Sequence, residues 1–138
     1  MSGNVFSKER WHGFDDGQYA GARMLEILSC VADIEETLNN LPDSLCTPEI
    51  LIPMPEGEAH QLLARLQENA HFEGACKVVT IDGLRVEYPE GFGLLRASNT
   101  TPALMMRFEA NDAESLKKIQ TLFKIKLLAA NQLLALPI

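Results

Sequence analysis

The chain has 138 residues, 46% of them hydrophobic, three cysteines and a formal charge of −7. That size and apolar content suit one compact domain with an appended segment. The acidic balance excludes the basic footprint that nucleic acid or an anionic membrane demands, so any bound anion must be held by a local device.

Met1 to about Trp11 is polar and shows no helical or strand period. Asp15-Asp16-Gly17 starts a helix, whose Ala20, Met24, Ile27, Leu28 and Val31 recur at helical spacing as one apolar stripe. Asp33 with Glu36 forms a capping-box pattern for a second helix, with Ile34, Leu38 and Leu41 as its expected buried side and Pro42 as its stop. The breaker-rich run from Pro42 to Pro48 reads as a linker.

Beyond it, Glu49–Pro53 predicts a short strand and Glu56–Ala70 a helix with Ala59, Leu62, Leu63, Leu66 and Ala70 on one face. Cys76–Ile81 is β-rich and stops at Asp82-Gly83, a hairpin signal. Leu84–Tyr88, Phe92–Arg96 and Ala103–Glu109 follow as strands, the last alternating at Leu104, Met106 and Phe108. Asn111 and Glu114 open a long final helix with Leu116, Ile119, Leu122, Phe123 and Leu127 inward. The order β-α-β-β-β-β-α implies an α+β fold, a mostly antiparallel sheet of four to five strands with its helices on one face, preceded by a helical N-terminal segment.

Cys30, Cys46 and Cys76 are odd in number and form no CxxC pair, so they read as reduced thiols of a cytoplasmic protein. The N-terminus lacks the pattern of a signal peptide. The apolar tail from Leu127 to Ile138, interrupted by Asn131 and Gln132, is too short to span a bilayer. His12, His60 and His71 share no ligand spacing, and Asp15-Asp16 suits a helix start better than a metal site. No metal ligand is assigned.

The chemistry concentrates between the last two strands, in Arg96-Ala97-Ser98-Asn99-Thr100-Thr101-Pro102. Arg96 offers a planar fork that matches phosphate, Ser98 and Thr100 add hydroxyls, and Asn99 adds an amide and tolerates a left-handed turn. Such residues also make ordinary turns, and composition alone favours that plainer reading.

This run, with the strand ending Arg107-Phe108-Glu109-Ala110, resembles the C-terminal domain of bacterial phosphomannomutase/phosphoglucomutase, of the α-D-phosphohexomutase superfamily. Met1-Ser2-Gly3-Asn4 and Lys8-Glu9-Arg10-Trp11-His12-Gly13-Phe14-Asp15-Asp16-Gly17 resemble that family's sugar-binding loop, of Gly-Glu-Met-Ser-Gly type, and its trailing sequence. The resemblance implies an isomerase of four domains that interconverts hexose 1- and 6-phosphates through a phosphoserine in domain one and Mg²⁺ in domain two, both outside this chain. It implies that residues 1–42 are the tail of the sugar-binding third domain, 43–48 a hinge and linker, and 49–138 the phosphate-binding fourth domain.

Carried over residue by residue, Arg96, Ser98, Asn99 and Thr100 would contact whichever phosphate is not reacting, and Ser2 would read sugar hydroxyls. Asn4 stands where many relatives have histidine, and the loop's glutamate has no counterpart here. Without nucleophile or metal cluster, the chain alone is expected to bind a mannose or glucose phosphate and not to turn it over. Its other expected partners are the remaining domains of the same enzyme. The alternative is a non-catalytic α+β module for small ligands or protein contacts.

Overall fold

The computed structural model describes residues 4–41, 43–69 and 71–138. The chain divides into two compact units, Met1–Pro42 and Asp43–Ile138.

In the first unit, helix α1 spans Gly17–Ser29 and α2 spans Ile34–Asn39. Each is started by an aspartate: the Asp16 carboxylate accepts from the Tyr19 N–H, and Asp33 accepts from the Glu36 N–H. The segment before α1 is not featureless. Phe6 bridges Asp15, the Asp15 carboxylate accepts from the Val5 N–H, and the Trp11 ring stacks on Tyr19 at 4.5 Å. Arg10 engages both carboxylate oxygens of Glu26, which raises the pKa of its guanidinium. The apolar stripes are another matter. Met24 and Ile27 of the α1 stripe are exposed, as are Ile34, Leu38 and Leu41, so the buried side expected of α2 is not buried. Helical periodicity reports an amphipathic surface, and it does not supply the partner that would cover it.

Among its described residues, the second unit holds six strands and two helices: β1 Leu45–Cys46, β2 Ile50–Pro53, α3 Glu58–Glu68, β3 Lys77–Val79, β4 Leu84–Tyr88, β5 Gly91–Ala97, β6 Ala103–Ala110 and α4 Ala113–Ala130. The sheet is antiparallel in the order β1-β6-β5-β4-β3, with β2 beside β1 on the same edge of β6. The sixth strand arises within the stretch expected to be a linker. Leu45 pairs with Ala110 and Cys46 with Glu109, while the Thr47 N–H donates to the Phe108 carbonyl and its hydroxyl accepts the Phe108 N–H. Unpaired backbone groups on β6 beyond β2 draw the chain into the sheet there.

Both helices pack on one sheet face: α4 against β5 and β6, α3 against β4 and β5, and the two against each other. Period-two alternation turns Leu84, Val86, Leu95, Leu104, Met106 and Phe108 to that face, where they meet Leu62, Ile119, Phe123 and Leu127. The face of α3 is buried as read at Ala59, Leu62, Leu63 and Leu66, while Ala70 lies outside the described residues. The cap of α4 is Asp112 rather than Asn111. Its carboxylate accepts the Ser115 N–H at 2.8 Å and takes the Ser115 hydroxyl as well, a more complete set of bonds than Asn111 with Glu114 would give. After α4 the tail folds back, and Leu134, Leu136 and Ile138 pack on the core.

Candidate functional site

The loop between β5 and β6 is pinned at both ends. The Ser98 N–H donates to the Ala103 carbonyl at 3.0 Å, and the Met54 N–H donates to the Pro102 carbonyl at 2.9 Å, tying the loop to the end of β2. Inside it the Ser98 hydroxyl is a hub. Its oxygen accepts the N–H groups of Thr100 (3.3 Å) and Thr101 (3.2 Å), and it lies 2.9 Å from the Thr101 hydroxyl and 3.5 Å from that of Thr100. Two backbone donors therefore converge on one oxygen, the arrangement that receives an anion. The left-handed turn that Asn99 would tolerate is not used; among the described non-glycine residues, only Arg10 has positive φ. Convergence comes from the Ser98 hydroxyl instead.

Ser98, Asn99 and Thr100 line a cleft of about 470 Å³ with Thr101, Pro102 and the first turn of α3, including Gly57, Ala59 and His60. His60 is exposed at this cleft, a position its lack of ligand spacing gave no hint of. The turn of α3 enters through Gly57, a left-handed cap with no side-chain bond to the helix.

Arg96 does not line the cleft. Its place in β5 pairs it with Met105 and, by alternation, sends its side chain to the face opposite the helices. There its Nη2 lies 2.8 Å from the Asp82 carboxylate in the β3–β4 turn. On the same face the Arg85 guanidinium stacks 3.6 Å above the Phe92 ring and donates to Glu87, which holds the Glu87 carboxyl below its usual range. Ser2, assigned to the sugar, lies outside the described residues. Among the described residues, no cluster of three His, Cys, Asp or Glu side chains is arranged to hold a metal ion.

The family model for the phosphoglucomutase/phosphomannomutase C-terminal domain matches residues 49–124. The chain belongs to this family. It is 59% identical over 125 residues to a phosphoglucomutase of Neisseria meningitidis, covering 90% of this chain and 27% of that protein. It is 48% identical over 138 residues to the phosphomannomutase/phosphoglucomutase of Pseudomonas aeruginosa, covering 99% of this chain and 30% of the other. A crystal structure of a phosphoglucomutase/phosphomannomutase family protein from Burkholderia thailandensis superposes with a TM-score of 0.88 at 52% identity, over 100% of this chain and 29% of that one. The chain thus spans under a third of its relatives' length and corresponds to the C-terminal part of a phosphohexomutase. Among its described residues, no helix is long and apolar enough to cross a membrane.

Proposed function

We propose that this chain clamps the non-reacting phosphate of a hexose 1- or 6-phosphate within a larger, cytoplasmic phosphoglucomutase/phosphomannomutase. The observation that carries the reading is the convergence of the Thr100 and Thr101 N–H groups on the Ser98 hydroxyl. A phosphate oxygen in that position is a stronger acceptor than a neutral hydroxyl, because charge-assisted hydrogen bonds are shorter and stronger. The freed Ser98 hydroxyl then turns to donate, Asn99 and Thr100 add side-chain donors, and Arg96 supplies the compensating charge. The family membership supports the same reading, since its named relatives act on sugar phosphates.

Phosphoryl transfer rests on positioning and charge stabilisation, and its nucleophile and Mg²⁺ would come from outside this chain. The chain's own task is to bind one end of the substrate and leave the other free to react. Alone it binds and does not turn over. In the whole enzyme the sheet unit closes over substrate about a hinge that lies before Ser44, because residues 44–47 are bonded into the sheet. A clamp that reads phosphate and little sugar accepts mannose and glucose phosphates alike, with Ser2 contributing to hydroxyl recognition.

The test is an amide-resolved NMR titration with mannose 1-phosphate, mannose 6-phosphate and neutral mannose. Both phosphates should shift the resonances of residues 96–101 at affinities on the order of millimolar, and mannose should not. Phosphates that leave this loop unmoved well above that range would overturn the reading.

A further inference from the structure

The Asp82-Gly83 turn joins two strands and its sequence suits a hairpin, which would be reason enough for both residues. It also touches Arg96 in two separate ways. Gly83 has φ near +100°, and a Cβ built on it would lie 2.9 Å from the Arg96 Cγ and 2.2 Å from the Leu95 carbonyl oxygen. Only a residue without a side chain lets the stem of Arg96 lie across this turn. One position earlier, the Asp82 carboxylate meets the head of the same side chain at Nη2. The strand register explains the alignment: Leu84 pairs with Leu95, so the turn stands beside Arg96 at the end of the sheet where the Ser98–Thr101 loop begins.

The closest approach in this pair is Nη2 to one Asp82 oxygen, and among the described residues the guanidinium meets no second carboxylate, so donors on it stay available to an anion. We propose that the Asp82-Gly83 turn is a seat for Arg96, with Asp82 a positioning residue that fixes the guanidinium so that its available donors can receive the substrate phosphate. This inference rests on the reading of the loop as a phosphate clamp.

Two physical effects compete here. A carboxylate close to the guanidinium offsets part of the charge that attracts phosphate. Against that, an arginine side chain loses much rotamer freedom on binding, and an arginine already held has less to lose. Asp82 is 75% exposed and Arg96 32%, so water screens the charge effect strongly. Restraint of the side chain survives that screening, because the Gly83 contact also fixes the stem. Preorganisation therefore wins, and removing Asp82 weakens phosphate binding.

The experiment titrates the 138-residue chain with inorganic phosphate and follows both backbone amides and the Arg96 Nε–Hε resonance. The variants are Asp82→Ala, Asp82→Asn, Arg96→Ala and the Asp82→Ala/Arg96→Ala double variant. Asp82→Ala should weaken phosphate binding about three- to tenfold. Asp82→Asn keeps an oxygen acceptor and should recover part of the loss. Without ligand, the Arg96 Nε–Hε signal of Asp82→Ala should move toward that of a freely rotating arginine. In the Arg96→Ala background, adding Asp82→Ala should change nothing, which a general disturbance of the turn would not reproduce. Loss of affinity in Arg96→Ala with unchanged or tighter binding in Asp82→Ala overturns the seat alone. Arg96→Ala binding phosphate like the parent chain overturns the clamp and the seat together.

Discussion

Phe123 of α4 lies against Gly93 of β5 so closely that a Cβ built on the glycine would sit 2.4 Å from the ring. The ring is fully buried, 5.0 Å from Phe72 and edge-on to Phe108 at 5.2 Å. The helix thus rests on the sheet at a place where the strand has no side chain, and two flanking rings leave Phe123 little room to retreat.

Gly93→Ala is expected to destabilise the sheet unit by about 1–3 kcal/mol, the usual range for overpacking a filled core. Urea unfolding of Gly93→Ala, Phe123→Leu and their combination measures it. The double variant should lose less than the sum of the singles, since the smaller side chain admits the added methyl.

Arg96→Ala should weaken hexose-phosphate binding about tenfold or more, through loss of a charge-assisted contact. Ser98→Ala should have a smaller effect, since it removes the hub but leaves the Thr100 and Thr101 N–H groups in place. Calorimetric or NMR titration with mannose 1-phosphate separates the two, and affinities equal to the parent chain's in both variants would remove the loop from the binding site.

Burial pushes the Tyr88 phenol up to about 12 from its ordinary 10, and its hydroxyl is buried without a hydrogen-bond partner. The raised value means the folded form holds its proton longer than the unfolded one. The linked stability is fully present below pH 10 and is lost as pH rises from 10 toward about 12. Phenolate absorbance of a Tyr19→Phe variant follows Tyr88 alone and should develop only toward the upper end of that window. Tyr88→Phe removes an unpaired polar atom and is expected to be neutral or to stabilise by up to ~1 kcal/mol.

At the start of α4 the sign is opposite. The Ser115 N–H, and next its hydroxyl, hold the Asp112 carboxyl below its usual range. Its stabilising effect is present above the unfolded-state value and is lost as pH falls through the folded one. Asp112→Ala should lower the thermal midpoint by a few degrees near neutral pH and by less in acid, while Asn111→Ala should do neither.

Much of the sheet unit was legible because each element is covered on one side. Leu104, Met106 and Phe108 alternate, and Leu62, Leu63 and Leu66 recur at helical spacing, because each set faces the same core. Leu45 and Cys46 carry no such signal: a two-residue strand held by its backbone leaves no period to find, and Pro42 and Pro48 around it read as breakers. The buried side expected of α2 is exposed, since nothing in Ile34 or Leu38 tells whether a partner surface exists. In the loop, residue types made Arg96, Ser98, Asn99 and Thr100 candidates for an anion site, and the resemblance rather than composition favoured that over an ordinary turn. That the Ser98 oxygen would gather two N–H groups, and that Arg96 would lean on Asp82 fourteen positions earlier, depends on strand register.

Strand β1 also decides where this chain can safely be cut. With β5 along one side and β1 then β2 along the other, β6 offers a neighbouring molecule little free backbone. A chain trimmed to begin at Glu49, where the family match starts, would strip the cover from Phe108, Glu109 and Ala110. Their exposed N–H and C=O groups would form a short sticky edge. Two trimmed molecules could satisfy it by pairing with each other, so the shorter chain should self-associate with rising concentration where the longer one stays apart.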